Sequence, residues 1–217
     1  MPRFFVGTDQ ISDKNIVITG TDVNHIRNVL RMAPGEEVTV SDGQGMDYFC
    51  KIAELTKEEV RLDIIDSWHS FVELPAKIYL FQGLPKADKM ELIIQKAVEL
   101  GVYEIVPVAT KRAVVKLDAK KEEKKRLRWQ SIAESAAKQA GRALIPQVAP
   151  CMNFDKALRM CNGLDAALIP YEKAEGMQHA RDQVRALHGK HSIGIFIGPE
   201  GGFEESEIEA ARGAGAV

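Results

Sequence analysis

Ile193-Gly194-Ile195-Phe196-Ile197-Gly198-Pro199-Glu200-Gly201-Gly202-Phe203 decides how this chain is read. Its apolar half predicts a buried strand over 193–197, and Glu204 and Glu205 open a predicted helix over 204–212. The Gly/Pro segment between them lies at the strand's C-terminal end. Glycines there let the backbone approach a ligand closely, and in open α/β sheets ligands sit beyond those ends. The segment has neither the G-x-x-x-x-G-K-[ST] nor the G-x-G-x-x-G phosphate pattern. The acidic residues that follow would repel an anion from the helix start, so a cationic or zwitterionic ligand suits the loop better. Spacing alone equally allows a tight strand-to-helix turn with no ligand.

The neighbouring sequence supplies a sheet for this strand. Residues 77–82, 104–109 and 165–169 also read as buried strands, and Pro170-Tyr171-Glu172 after the last is either a second wall of the crevice or a plain loop. Helices are predicted over 88–100, 120–140, 154–161 and 177–187; in the first, Met90, Ile93, Ile94, Ala97 and Val98 form one apolar stripe that Gly101 ends. Strands alternating with helices mean a mostly parallel α/β sheet. Upstream the pattern changes to short strands over 4–6, 16–19, 37–41, 48–52 and 60–65, with one helix over 21–32 carrying Val23, Ile26, Val29 and Leu30 at helical spacing. Five short strands and one helix suggest a small barrel. The boundary falls within 68–75, giving domains 1–72 and 73–217.

The 217 residues, 45% hydrophobic and 28% charged, exclude a disordered or collagen-like chain. The formal net charge is −2, yet between Thr110 and Arg142 eleven basic residues, Lys116 among them, face four acidic ones. Such asymmetry, with Trp129 inside it, suggests a phosphate-backbone contact surface. The plainer reading is a solvated helix face with pairs such as Glu122 and Arg126. Cys50, Cys151 and Cys161 fit no zinc or disulfide pattern and read as reduced packing residues. No signal peptide or apolar run of about eighteen residues is present, so the expectation is a cytoplasmic protein with no membrane contact and no metal.

Several stretches together resemble the RsmE family of bacterial 16S ribosomal RNA uridine N3-methyltransferases. They are Pro2-Arg3-Phe4-Phe5, the run from His25 to Met32, Lys96-Ala97-Val98-Glu99-Leu100-Gly101-Val102, Arg128-Trp129, Glu134 to Arg142, and Ile197 to Phe203. The resemblance implies a PUA-like β-barrel for RNA binding, a SPOUT-type α/β domain with a C-terminal trefoil knot, a homodimer, and S-adenosyl-L-methionine as cofactor. The partner it implies is the 16S rRNA of the 30S ribosomal subunit. It places Leu168, Ile169, Pro170, Ile197, Gly198, Pro199, Glu200, Gly201 and Gly202 at the cofactor, and Glu134, Gln139 and Arg142 near the target uridine. Arg3, Arg27, Arg31, Arg112, Lys121, Lys124, Lys125 and Arg128 would face RNA. The family pattern continues with a strand, a loop of the type S-L-G-x-R-I-L-R-x-E-T-A and a final helix. Measured against that pattern, the knot and the cofactor pocket are expected to be incomplete in this chain. Other readings of the same residues are a non-catalytic RNA-binding or ribosome-assembly module, another SPOUT RNA methyltransferase activity, or a small-molecule α/β enzyme.

Overall fold

The computed structural model describes residues 1–113, 118–171 and 177–217. Lys116 and Glu172 of the sequence reading lie outside them. The chain divides into two units, one of Met1–Glu73 with Ala137–Ile145, the other of Leu74–Ala136 with Pro146–Val217.

In the first unit, β1 (Arg3–Phe5), β2 (Asn15–Thr19), β3 (Glu37–Ser41), β4 (Met46–Leu55) and β5 (Glu59–His69) form one curled sheet in the order β1-β3-β4-β5-β2. Alternation along the strands fills its core: Ile16 and Ile18 of β2, Val38 and Val40 of β3, and Val60 and Leu62 of β5 all point inward and are fully buried or nearly so. β1 joins β3 in parallel, whereas the other pairings are antiparallel. The predicted helix over 21–32 is shorter than its pattern suggested. An α-helical turn, α1 (Thr21–Asn24), widens over His25–Val29, where the Leu30 N–H donates to His25 O across five residues. Val23 and Ile26 stay buried, but the wider turn swings Val29 and Leu30 out of the stripe and leaves them exposed.

The second unit is built on β6 (Lys77–Gly83), β7 (Glu104–Ala109), the two-residue strands β8 (Gln147–Val148) and β9 (Met152–Asn153), β10 (Ala166–Leu168) and β11 (Ser192–Ile197). The sheet is parallel throughout in the order β10-β11-β6-β7-β8, with β9 also on β7. Between the strands run α2 (Lys89–Glu99), α3 (Ala119–Ala140), α4 (Phe154–Cys161), α5 (Met177–Ala186) and α6 (Glu205–Gly213). Phe81 and Phe196 are register partners on β6 and β11, so their rings share a face and stack at 4.5 Å. Phe154 of α4, Phe203, and Ile208 and Ala211 of α6 close over them. At the sheet edge Val217 exchanges hydrogen bonds with Ala167 O and the Ile169 N–H. On β7 the fully buried Ile105 makes a sensitive probe of packing: Ile105→Val is expected to lower stability by about 1 kcal/mol in urea unfolding, the usual loss for one buried methylene.

The chain order decides where a ligand can sit. From β6 the sheet grows one way through β7 to β8, and the later strands β10 and β11 lie on the other side of β6. The reversal therefore falls between β6 and β11, and the crevice outside their C-terminal ends is where open α/β sheets bind ligands.

Candidate functional site

Gln82 of β6 is register partner of Ile197 of β11, which brings Gly83 beside Gly198 and Pro199. A Cβ on Gly83 would lie 2.6 Å from Pro199 Cδ and 2.9 Å from Pro199 N, so only glycine allows the two loops to cross this closely. Gly198 is constrained in turn: a Cβ there would meet the Gly202 backbone at 3.1 Å. The loop closes on itself through the Gly202 N–H donating to Pro199 O at 2.8 Å, with Gly202 at a φ of +66° that disfavours any side chain. Beneath it, Gln82 is buried and its side-chain amide donates to Gly83 O.

Two neighbours grip this loop. Glu200 accepts the Lys86 backbone N–H and the Lys89 ammonium at 2.8 Å. The Lys89 hydrogen bond first, then backbone N–H groups, hold its carboxyl down at about 2, and Glu200 serves here as an acceptor that ties down the loop. From the other side Arg112 donates to Gly201 O and to Glu204, and the Lys111 N–H donates to the buried Glu207. At the strand ends Ile197, the last residue of a mostly buried strand, is 38% exposed, and Glu200 and Gly201 of the following loop are exposed as well. β10 runs parallel to β11 with Leu168 opposite Ile195, so the loop that starts at Ile169 and Pro170 leaves the same edge of the sheet. Ile169 is turned into the core and Pro170 is exposed. The family resemblance puts S-adenosylmethionine at these strand ends. Ile197, Gly198, Gly201, Gly202 and Pro170 are the residues that would hold it.

The family described as RNA methyltransferase domain matches residues 72–217, and the family described as RNA methyltransferase PUA domain matches 18–65. The sequence is 38% identical over 215 residues to the ribosomal RNA small subunit methyltransferase E of Bacillus subtilis, covering 96% of this chain and 84% of that protein. The chain belongs to the ribosomal RNA small subunit methyltransferase E family. A Neisseria gonorrhoeae member of this family, solved bound to S-adenosyl methionine, superposes with a TM-score of 0.83 at 32% identity, over 100% of this chain and 86% of that one. A putative methyltransferase from Legionella pneumophila with the same bound cofactor gives 0.79 at 28% identity, over 99% and 86%.

Against this family background, several residues drawn from sequence sit elsewhere than expected. Arg142 is 5% exposed and its guanidinium is committed to Glu73, which also accepts the Ala143 and Leu144 N–H groups. It ties Glu73 to the 142–144 segment within the first unit. Arg3 likewise donates to Asp47 and to the carbonyls of Gly141 and Arg142, which takes it out of the set that would face RNA. Arg112 lies against the glycine loop. Arg27 is half-buried and Arg31 is exposed, the latter at a φ of 55° where the widened helix ends. Glu134 and Gln139 are exposed on α3, whose inner face is Trp129, Ala133, Ala136 and Ala137.

Between α3 and the start of α2, Lys121, Lys124, Lys125, Arg128 and Trp129 line a groove of about 260 Å³ together with Ala87, Asp88 and Glu91. Arg128 pairs with Glu91 at 2.7 Å, Lys121 with Asp118, and Lys125 lies over the Trp129 ring. These pairs fit the plainer reading of the segment, a helix face with local ion pairs, although Glu122 accepts the Cys151 N–H. The three cysteines are free, with thiols pushed up by burial to about 12 for Cys50 and about 11 for Cys151 and Cys161, which disfavours the thiolate. Among the described residues no cluster of three or more His, Cys, Asp or Glu side chains could hold a metal ion, and no helix is long and apolar enough to cross a membrane.

Sequence reasoning missed Gly83, Gln82, Lys86 and Lys89. Their only signal was a glycine ending an apolar strand, Gln82-Gly83-Leu84-Pro85, identical in kind to the one read at Gly198.

Proposed function

We propose that this chain transfers the methyl group of S-adenosylmethionine to N3 of a uridine in small-subunit ribosomal RNA, as a cytoplasmic homodimer. The observation that carries the reading is the close crossing of Gly83 with Gly198 and Pro199 at the strand-order reversal, beside the exposed Ile197. The cofactor, when bound, supplies a methyl group already activated on sulfur and leaves as a neutral thioether. The protein's part is alignment: the glycine loop fixes the donor, and the basic surfaces bring an RNA strand with an exposed base to it. Residues 1–72 act as the RNA-binding domain through Arg27 and Arg31, and residues 73–217 as the transferase domain, with Lys121, Lys124, Lys125 and Arg128 on phosphates and Glu134 and Gln139 toward the uridine.

The RNA half of the reading has its own test. Neutralising Lys121, Lys124, Lys125 and Arg128 is expected to weaken binding of ribosomal RNA and to flatten its dependence on salt, by roughly 0.7 to 0.9 slope units for each phosphate no longer neutralised. Filter binding between low and moderate salt measures both, and an unchanged slope would contradict a phosphate role for this face. Calorimetric titration with S-adenosylmethionine on a chain carrying the family's final strand and helix tests the donor half, and a non-catalytic RNA-binding module would show RNA affinity with no donor binding even then.

A further inference from the structure

Arg112 and Lys111 closely follow β7 and reach across to the strand-to-helix loop after β11. Arg112 donates from Nη1 to Gly201 O at 2.9 Å and from Nε to a Glu204 carboxylate oxygen at 2.8 Å. Its stem packs where a Gly201 side chain would begin, 3.5 and 3.7 Å from that Cβ position. Lys111 donates its backbone N–H to Glu207 Oε1 and its ammonium to Ser206 Oγ. Glu207, only 4% exposed, uses its other oxygen to accept the Glu204 N–H, so the hydrogen bonds run without a break from the end of β7 into the first turn of α6.

We propose that Arg112 is a positioning residue for the methyl donor: it fixes the Gly201 carbonyl and the Glu204 end of the glycine loop, and so sets donor affinity instead of RNA affinity. This rests on the assignment of the loop to S-adenosylmethionine given above. Three features favour it over the phosphate role that its charge suggests. The guanidinium already holds one carboxylate and one carbonyl of the same loop. The arginine side chain is 45% exposed, and an exposed ion pair contributes little to folding, so its yield lies in loop geometry. The opposite side of the loop is held in the same way, by Lys86 and Lys89 on Glu200, so that Arg112 braces the remaining stretch from Gly201 to Glu204.

The test compares the unaltered protein with Arg112→Gln, Arg112→Lys and Glu204→Gln, reading S-adenosylmethionine affinity by calorimetry, ribosomal RNA affinity across salt, and thermal unfolding. Arg112→Gln is expected to weaken donor binding about tenfold, the loss of a charge-assisted hydrogen bond, and to raise the donor KM with kcat little changed. RNA affinity, its salt slope and the melting temperature should stay in place. Arg112→Lys keeps the charge without the fork and should lose less. Arg112→Gln combined with Glu204→Gln should lose little more than Arg112→Gln alone, because the two act as one unit. Should Arg112→Gln fail to fold, Arg112→Lys and Glu204→Gln carry the comparison. Unchanged donor affinity with weaker RNA binding and a shallower salt slope would overturn the proposal and return Arg112 to the RNA surface. Failure to bind the donor even in a chain carrying the family's final strand and helix would instead remove the loop assignment itself, and the proposal with it.

Discussion

Gly83→Val is expected to reduce S-adenosylmethionine binding by about a hundredfold while the protein remains folded. The new side chain would begin 2.6 Å from Pro199 Cδ and 2.9 Å from Pro199 N, and the second of these is backbone that no rotamer change can clear. Overpacking of this kind costs about 1–3 kcal/mol, and a valine belongs at the upper end. The Gly198–Pro199 peptide must absorb the shift, yet Gly198 is itself packed on Gly202. Displacement therefore falls on the loop that would hold the donor. Gly213→Ala is the matched control: nothing lies within 4 Å of its Cβ position, and donor affinity should be unchanged. Calorimetric titration of both variants, with circular dichroism to show that they are folded, decides the matter, and full donor affinity in Gly83→Val would rule out close approach at this crossing.

Arg142→Ala is expected to destabilise the first unit by about 3–5 kcal/mol, because it leaves the Glu73 carboxylate half-buried without its counter-charge. Replacing both residues by leucine should recover much of that loss, since two apolar side chains leave no orphan charge. The same pair sets a pH dependence. Burial alone would raise the Glu73 carboxyl, but the Arg142 guanidinium and the Ala143 and Leu144 N–H groups outweigh it and bring it below its ordinary value of 4.5. A group lowered on folding contributes its stability above the unfolded value and loses it as pH falls through the folded one. Urea unfolding of the unaltered protein should thus show constant stability from this pair at neutral pH and a decline in acid that Glu73→Gln flattens. A loss of methyl transfer in Arg142→Ala with no loss of stability would show that Arg142 acts on substrate after all.

The particular residues explain what sequence reveals and what it hides. β11 and the glycine loop were legible because the signal is local: an apolar run, then Gly198-Pro199, then acidic residues at a helix start. The alternation of strands with helices carried the parallel sheet in the same way. Strand order did not follow from it, and the reversal between β6 and β11 is what makes the loop a site. Gly83 went unread since its constraint comes from Pro199, far along the chain. The basic side chains show the same limit most clearly. Arg3, Arg112 and Arg142 look alike as charges, but their partners Asp47, Glu204 and Glu73 are 44, 92 and 69 residues away, and only the folded chain commits those charges. Residues 137–145, read as the close of a helix in the second domain, pack with the first unit through such bonds. Helical spacing also misled at Val29 and Leu30, where a widened turn breaks the period.

Presentation of S-adenosylmethionine by the glycine loop, for transfer to a uridine N3 of small-subunit ribosomal RNA, is tested most directly by a labelling experiment. The protein is incubated with small ribosomal subunits lacking 3-methyluridine and with methyl-labelled donor, and the RNA is then digested and its labelled nucleosides identified by mass spectrometry. Label is expected in 3-methyluridine alone, and far less of it at subsaturating donor when Gly83→Val replaces the unaltered protein. Donor binding without any label in RNA, or label on another base or on ribose, would contradict this assignment.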